Sequence, residues 1–320
     1  MRNLCLTVLC SVFIWWSVVP KASCQSKPPL TAGAISNYGK WAIVGSQAGL
    51  DMYDWPGLQH QKRIKTKMPT IHDLKFSPDG KTLAVVGGDP GKRGSIELYQ
   101  LPAQNLLSHK HLQRDTLYCV DWSDDGKYLA VAGLEKITQV IEANDLKVAK
   151  SFEGHSKGVL ACHFVNNSSF LATAGLDQSL RIWDISSRKL ARSFSNHTQA
   201  IVAIAVRPEL PDAEKILPTM VTASTDRTVR LWQPTIGRMV RFARLKETPV
   251  GLCWLANATL VAVVTDGGNC LIIDPDSMEI KETHLTIEGR PCLLSPARDG
   301  SLLVAGEDGK LCRIVPKLGK

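Results

Sequence analysis

One short apolar run, closed by small residues, recurs along the chain and constrains its fold more than any other feature. The copies are WAIVGS (41–46), LAVVGG (83–88), LAVAGL (129–134), LATAGL (171–176), MVTAST (220–225), VAVVTD (261–266) and LLVAGE (302–307). Successive copies start 42, 46, 42, 49, 41 and 41 residues apart. A fixed period in this range marks a solenoid, a propeller or an array. Behind each copy come a polar turn and a second run with alternating apolar residues: LDMYD, IELYQ, TQVIE, LRIWD, VRLWQ, LIID and LCRI. Before the copies lie further strand-like segments ending in turns such as SPDG (77–80) and SDDG (123–126). Short runs broken by Gly, Asp and Asn argue strands, and no sustained 3.6-residue period occurs outside the N-terminal segment. Seven units of about 43 residues, each with three or four short strands, predict an all-β, seven-bladed β-propeller. The uneven spacings place extra residues in the second unit's hairpin, GDPGKRGS (88–95), and in the fifth unit at PELPDAEKILPT (208–219).

The N-terminus reads as an address. A single charge, Arg2, precedes an apolar run from Leu4 to Val19, and the small residues Ala22-Ser23-Cys24 follow Pro20 and Lys21. As a helix, sixteen residues rise about 24 Å, short of a comfortable bilayer span. This layout predicts a signal peptide over residues 1–24 and a propeller over 25–320, secreted, periplasmic or extracellular. An uncleaved anchor, or lipidation of Cys24, is the route by which the chain would meet a membrane; Lys21 counts against the lipoprotein reading. Six cysteines remain after cleavage: Cys119, Cys162, Cys253, Cys270, Cys292 and Cys312. None shows metal or haem spacing, and each falls in a predicted strand, which suits a small buried hydrophobe. The 38 Lys and Arg exceed the 30 Asp and Glu by 8, with no run of five or six like charges. That balance does not argue for nucleic acid.

The units resemble those of the WD-repeat family over about residues 30 to 316. Unit 4 carries Gly154-His155 and ends LATAGLDQSLRIWD; unit 5 carries Asn196-His197 and VTASTDRTVRLWQ. The resemblance implies hydrogen-bonded structural tetrads of His155, Thr173, Asp177 and Trp183, and of His197, Thr222, Asp226 and Trp232. Elsewhere the Trp position holds Tyr53, Tyr99, Ile141, Ile273 and Ile314. Unit 7 ends at Val315-Pro316 without an outermost strand, and Pro28-Pro29 ahead of unit 1 cannot donate to a ladder. A three-stranded last blade with an exposed edge is expected.

No HExxH or GxGxxG motif occurs. The hairpin GDPGKRGS fails the spacing of a phosphate loop, and no helix follows it. His109 and His111 have no third ligand in the pattern, so no metal and no cofactor are expected. The His–Asp pairs of the tetrads resemble a catalytic dyad, which would need a Ser or Cys in reach and an oxyanion hole; family precedent and a buried setting make a structural role the expectation. Asn166, Asn167, Asn196 and Asn257 open N-x-S/T sequons, which matter only in a glycosylating pathway.

Family resemblance implies partner binding on the face where each innermost strand begins, four residues before the bulky residue that ends it. Those positions are His72, Tyr118, Leu160, Val202, Val250 and Arg290, with Thr31 as the counterpart in unit 1. Lys92 and Arg93 should add a cationic rim on the same face. The apolar members equally suit a channel plug. The expected function is a non-catalytic protein-interaction module or scaffold, exported from the cytoplasm, with protein partners and no nucleic acid. The alternative is a secreted propeller enzyme or a small-ligand or sugar-binding protein with its site at the channel mouth.

Overall fold

The computed structural model describes residues 28–102, 105–209 and 217–317. The proposed signal, residues 1–24, lies outside the described residues, as does most of the unit 5 insertion (210–216). The described chain forms twenty-seven strands in seven antiparallel sheets, six with four strands and one with three. Each sheet takes its strands in chain order, so every unit is a meander running outward from the axis. The innermost strands, Leu30–Ile35, Thr70–Phe76, Leu117–Trp122, Val159–Val165, Ile201–Val206, Pro249–Trp254 and Pro291–Pro296, touch their neighbours around a ring. The strand of blade 7 meets that of blade 1, and the ring closes: a seven-bladed β-propeller.

The repeated run is the second strand of every blade. It sits between two sheets, so both of its faces are buried; Val261–Thr265 and Leu302–Gly306 are buried at every residue. This explains an apolar run rather than an alternation. The recurring glycine has a steric cause. A Cβ on Gly87 would lie 1.9 Å from the Thr70 carbonyl oxygen, and one on Gly175 would lie 2.2 Å from that of Gly158. Backbone comes so close there that no side chain fits.

Hydrophobic clusters lie between successive blades, including one that joins blades 7 and 1 through Leu30, Val44, Leu293 and Leu303. Inner strands are also lashed by hydrogen bonds. Trp122 Nε1 donates to the Lys75 carbonyl at 3.1 Å, and Trp254 Nε1 to that of Ala205 at 3.2 Å. At the closure, Ile35 N–H donates to Ser295 Oγ at 3.3 Å. Blade 7 has three strands among the described residues and ends with Leu311–Ile314, as its missing run implies. The hairpin of blade 2 lengthens its strands to Thr82–Asp89 and Arg93–Gln100. All six cysteines of the described chain are free; four are buried, while Cys292 and Cys312 are half-buried. Burial pushes the Cys270 thiol up to about 12.

Candidate functional site

The innermost strands share one irregularity. Near its start each slips register by one residue against the second strand, leaving that residue outside the ladder as a bulge. The skipped residues are Thr31, His72, Tyr118, Leu160, Val202, Val250 and Cys292. All seven are half-buried. Six match the sequence-based expectation and one does not. Arg290 lies before the blade 7 strand, its carbonyl accepting from Glu307 N–H at 3.0 Å and its guanidinium 3.7 Å from Glu307 Oε1. The strand runs on to Pro296, paired with Leu302, so counting back from Leu294 landed two residues early. Cys292 holds the position instead.

Around this ring the chemistry is uneven. His72 and Tyr118 are stacked, with ring centroids 4.3 Å apart and planes 20° from parallel. His72 Nε2 is buried without a protein partner, and burial holds the imidazole below its usual pKa, in the neutral form. Val202 and Val250 lean into the clusters between blades. The Lys92–Arg93 hairpin stands at the same end of the sheets, because strands one and three of a meander start at that end. Asp115, on the connection leading to Tyr118, accepts the Gly91 N–H at 2.9 Å and ties the hairpin to the rim. Lys92 Nζ lies 3.1 Å from Asp89.

Both tetrads form. In blade 4, His155 Nδ1 donates to Asp177 at 2.9 Å, its Nε2 meets Thr173 Oγ1 at 2.8 Å, and Trp183 Nε1 donates to the same oxygen at 2.8 Å. In blade 5 the matching distances for His197, Asp226, Thr222 and Trp232 are 2.8, 2.8 and 2.9 Å. Burial is the largest influence on both imidazoles and lowers their pKa despite the facing carboxylates. Neutral rings fit the donor chain: indole to hydroxyl, hydroxyl to Nε2, Nδ1–H to carboxylate. Thr173 and Thr222 are fully buried, so these groups fasten a sheet and do not meet solvent.

Three further fastenings were not read from the sequence. In blade 6, Glu247 precedes the innermost strand; its carboxylate accepts from Thr265 Oγ1 and, at 3.0 Å, from Asn269 Nδ2. In blade 2, Tyr99 OH donates to Glu97 Oε2 at 2.5 Å, and Glu97 Oε1 accepts the Lys67 N–H at 2.8 Å. In blade 1, Asp51 takes two bonds from Arg63, both 2.8 Å, and one from His60 at 2.9 Å. A signal for the last two existed: an acid stands two residues before Tyr in LDMYD and IELYQ, where units 4 and 5 have Arg.

Two channel-side carboxylates bear on the enzyme alternative. Asp73 accepts from Val120 N–H at 3.0 Å, and Asp121 from Phe164 N–H at 2.8 Å, with His163 Nδ1 3.0 Å away. Each lashes its blade to the next, and both act on the Lys75 ammonium, whose pKa they raise against its desolvation. Among the described residues no group of three or more His, Cys, Asp and Glu is placed to hold a metal ion. His109 and His111 lie on the outermost strand of blade 2, with ring centroids 4.7 Å apart and Ser95 Oγ 2.8 Å from His111 Nδ1.

Two family models match the chain. One, described as eukaryotic translation initiation factor eIF2A, covers residues 55–198, from the end of blade 1 through blade 4. The other, described as WD domain, G-beta repeat, covers residues 188–233, from the outermost strand of blade 4 to the third strand of blade 5. No curated protein matches the chain. The seven-bladed ring, the two tetrads and both matches together support a WD-repeat propeller family.

Proposed function

We propose that the chain is a non-catalytic protein-interaction module, exported from the cytoplasm, that takes its partner on the face ringed by the seven bulged residues. WD propellers are commonly interaction scaffolds. The observation that supports this face is the stacked His72–Tyr118 pair at the mouth, beside the exposed Lys92–Arg93 hairpin. A rigid aromatic with a cation at its edge is the side-chain set that dominates protein interfaces, and the apolar Leu160, Val202 and Val250 exclude water around it.

The test is affinity capture from the native extracytoplasmic fraction, comparing the wild type with a Tyr118→Ala, Arg93→Ala double variant. The variant should lose at least tenfold of a captured protein while its melting temperature moves little, since neither residue lies in the core. Unchanged capture overturns the choice of face. Export is tested separately by N-terminal sequencing of the natural protein: a chain starting at Gln25 supports it, and one retaining Met1 in the cytosol overturns it.

A further inference from the structure

Seven cations that look scattered along the chain come together on the outer wall of blades 4 and 5. Lys189 and Arg192 lie on the outermost strand of blade 4, Lys189–Phe194, with Arg188 in the turn before it. Arg238, Arg241 and Arg244 lie on the outermost strand of blade 5, Arg238–Arg244, and Lys246 follows close behind. All seven are exposed. Not one Asp or Glu occurs in residues 185–208 or 227–246. The two strands form one surface: a Cβ on Gly237, in the turn before Arg238, would lie 3.0 Å from Arg192 Nε. Beneath them Phe194 packs on Trp232, with ring centroids 4.9 Å apart.

Most cations on the other outer strands are held in partnerships. Arg63 pairs with Asp51, Lys281 with Glu279, and the ammonium groups of Lys110 and Lys150 donate to the carbonyls of Leu146 and Ile185. Among the described residues, none of the seven cations forms a salt bridge, and only Arg192 makes a side-chain hydrogen bond, to the Ala191 carbonyl. Clustered like charges destabilise a compact state. Asp184 stands opposite Lys189 in the ladder without forming a salt bridge to it, and no other acid faces the seven in register, so the surface carries a positive excess complementary to a polyanion.

Geometry narrows the class of polyanion. Five of the seven are arginines, whose planar forks match phosphate bidentately. Phe242 sits among them, 49% exposed, with the Arg230 guanidinium 5.3 Å from its ring centroid. A cationic track with an exposed aromatic is the pattern of sequence-tolerant single-strand binding. The wall is the curved side of a ring, which a flat bilayer would touch along little more than one strand. Among the described residues no helix or ribbon projects from it into a duplex groove. We infer that the outer wall of blades 4 and 5 binds the phosphodiester backbone of a single-stranded nucleic acid, with Phe242 as the stacking platform. This surface is separate from the channel mouth and does not depend on the function proposed for it.

The test uses the full chain and fluorescent 20-mers of oligouridylate and oligothymidylate, followed by anisotropy at 50 and 200 mM KCl. If about four phosphates are neutralised, affinity should fall about 50-fold between the two salts. The variant Arg238→Gln, Arg241→Gln, Arg244→Gln should weaken binding at low salt at least tenfold and reduce the slope of log Kd against log salt by about 2. Phe242→Ala should weaken binding about tenfold with the slope unchanged. The paired change Lys92→Gln, Arg93→Gln at the channel mouth should leave binding intact. Binding of either oligomer with this mutational pattern supports the inference, and the ratio of the two tells ribose from deoxyribose. Absence of binding at 50 mM, or equal binding by the triple variant, overturns it. Capture of phosphatidylserine vesicles through the same arginines, with both oligomers unbound, overturns it in favour of a membrane.

Discussion

Thr222→Val is the sharpest probe of how the blades are held. The substitution keeps the shape of the side chain and removes only the hydroxyl. That hydroxyl is fully buried, accepts from Trp232 Nε1 at 2.9 Å and meets His197 Nε2 at 2.8 Å. Trp232 has no exposed surface and His197 only 3%, so water cannot replace the lost partner. One indole donor and one imidazole acceptor are stranded together. Each stranded buried group costs about 1–3 kcal/mol, so the expected loss is about 2–5 kcal/mol. For a chain of this size, about 2–4 °C per kcal/mol predicts a melting temperature lower by about 5–15 °C. Urea denaturation followed by tryptophan fluorescence should show a lower midpoint at an unchanged slope. Thr225→Val, at an exposed hydroxyl three residues away, is the control and should change stability by less than about 0.5 kcal/mol. A loss below about 0.5 kcal/mol for Thr222→Val would refute the claim that the tetrad fastens blade 5.

The same networks predict acid sensitivity. Burial, the largest influence, lowers the pKa of His72, His109, His155 and His197, while Asp121 raises His163 against its own burial. Unfolding frees the four lowered imidazoles to bind protons at their ordinary pKa of about 6.5, so stability is full above that value and falls as pH drops below it. His163 works in the opposite sense and offsets only part of the loss. The melting temperature should therefore be lower at pH 5.5 than at pH 7.5 at matched ionic strength; no change would contradict the neutral tetrads. In blade 6, Glu247→Ala should cost about 1–3 kcal/mol by stranding Thr265 and Asn269, whereas Glu247→Gln should cost less, a ranking readable from denaturation midpoints. Gly87→Ala drives a methyl into the Thr70 carbonyl and should destabilise by about 1–3 kcal/mol or more; a neutral result would mean the strand gives way there.

The repeat was legible because one cause, burial of the second strand on both faces, writes the same apolar run seven times. The tetrads were legible through the family resemblance: Thr, Asp and Trp keep one spacing in units 4 and 5, while His precedes Thr by 18 residues in one and 25 in the other. Glu247 escaped notice because it stands two residues beyond the tetrad His position, which blade 6 fills with Leu245, and bonds to Thr265 and Asn269 rather than to the tetrad positions. Arg290 was chosen because the count began at Leu294, whereas the strand runs on to Pro296, a residue that does not read as the bulky end of a strand. The clustering of charge on the outer wall was not legible, for a topological reason. Arg192 and Arg238 are 46 positions apart in sequence and meet only because consecutive blades put their outer strands side by side.

The seven bulges carry a consequence of their own. A residue outside the ladder carries none of its backbone pairing, so its identity is uncoupled from the pairing that builds the blade. Histidine, tyrosine, leucine, valine, threonine and cysteine all occupy the place without altering the strands around it. The ring therefore behaves like a keyboard set into a fixed frame, in which lineages can exchange keys one at a time while the frame stays the same.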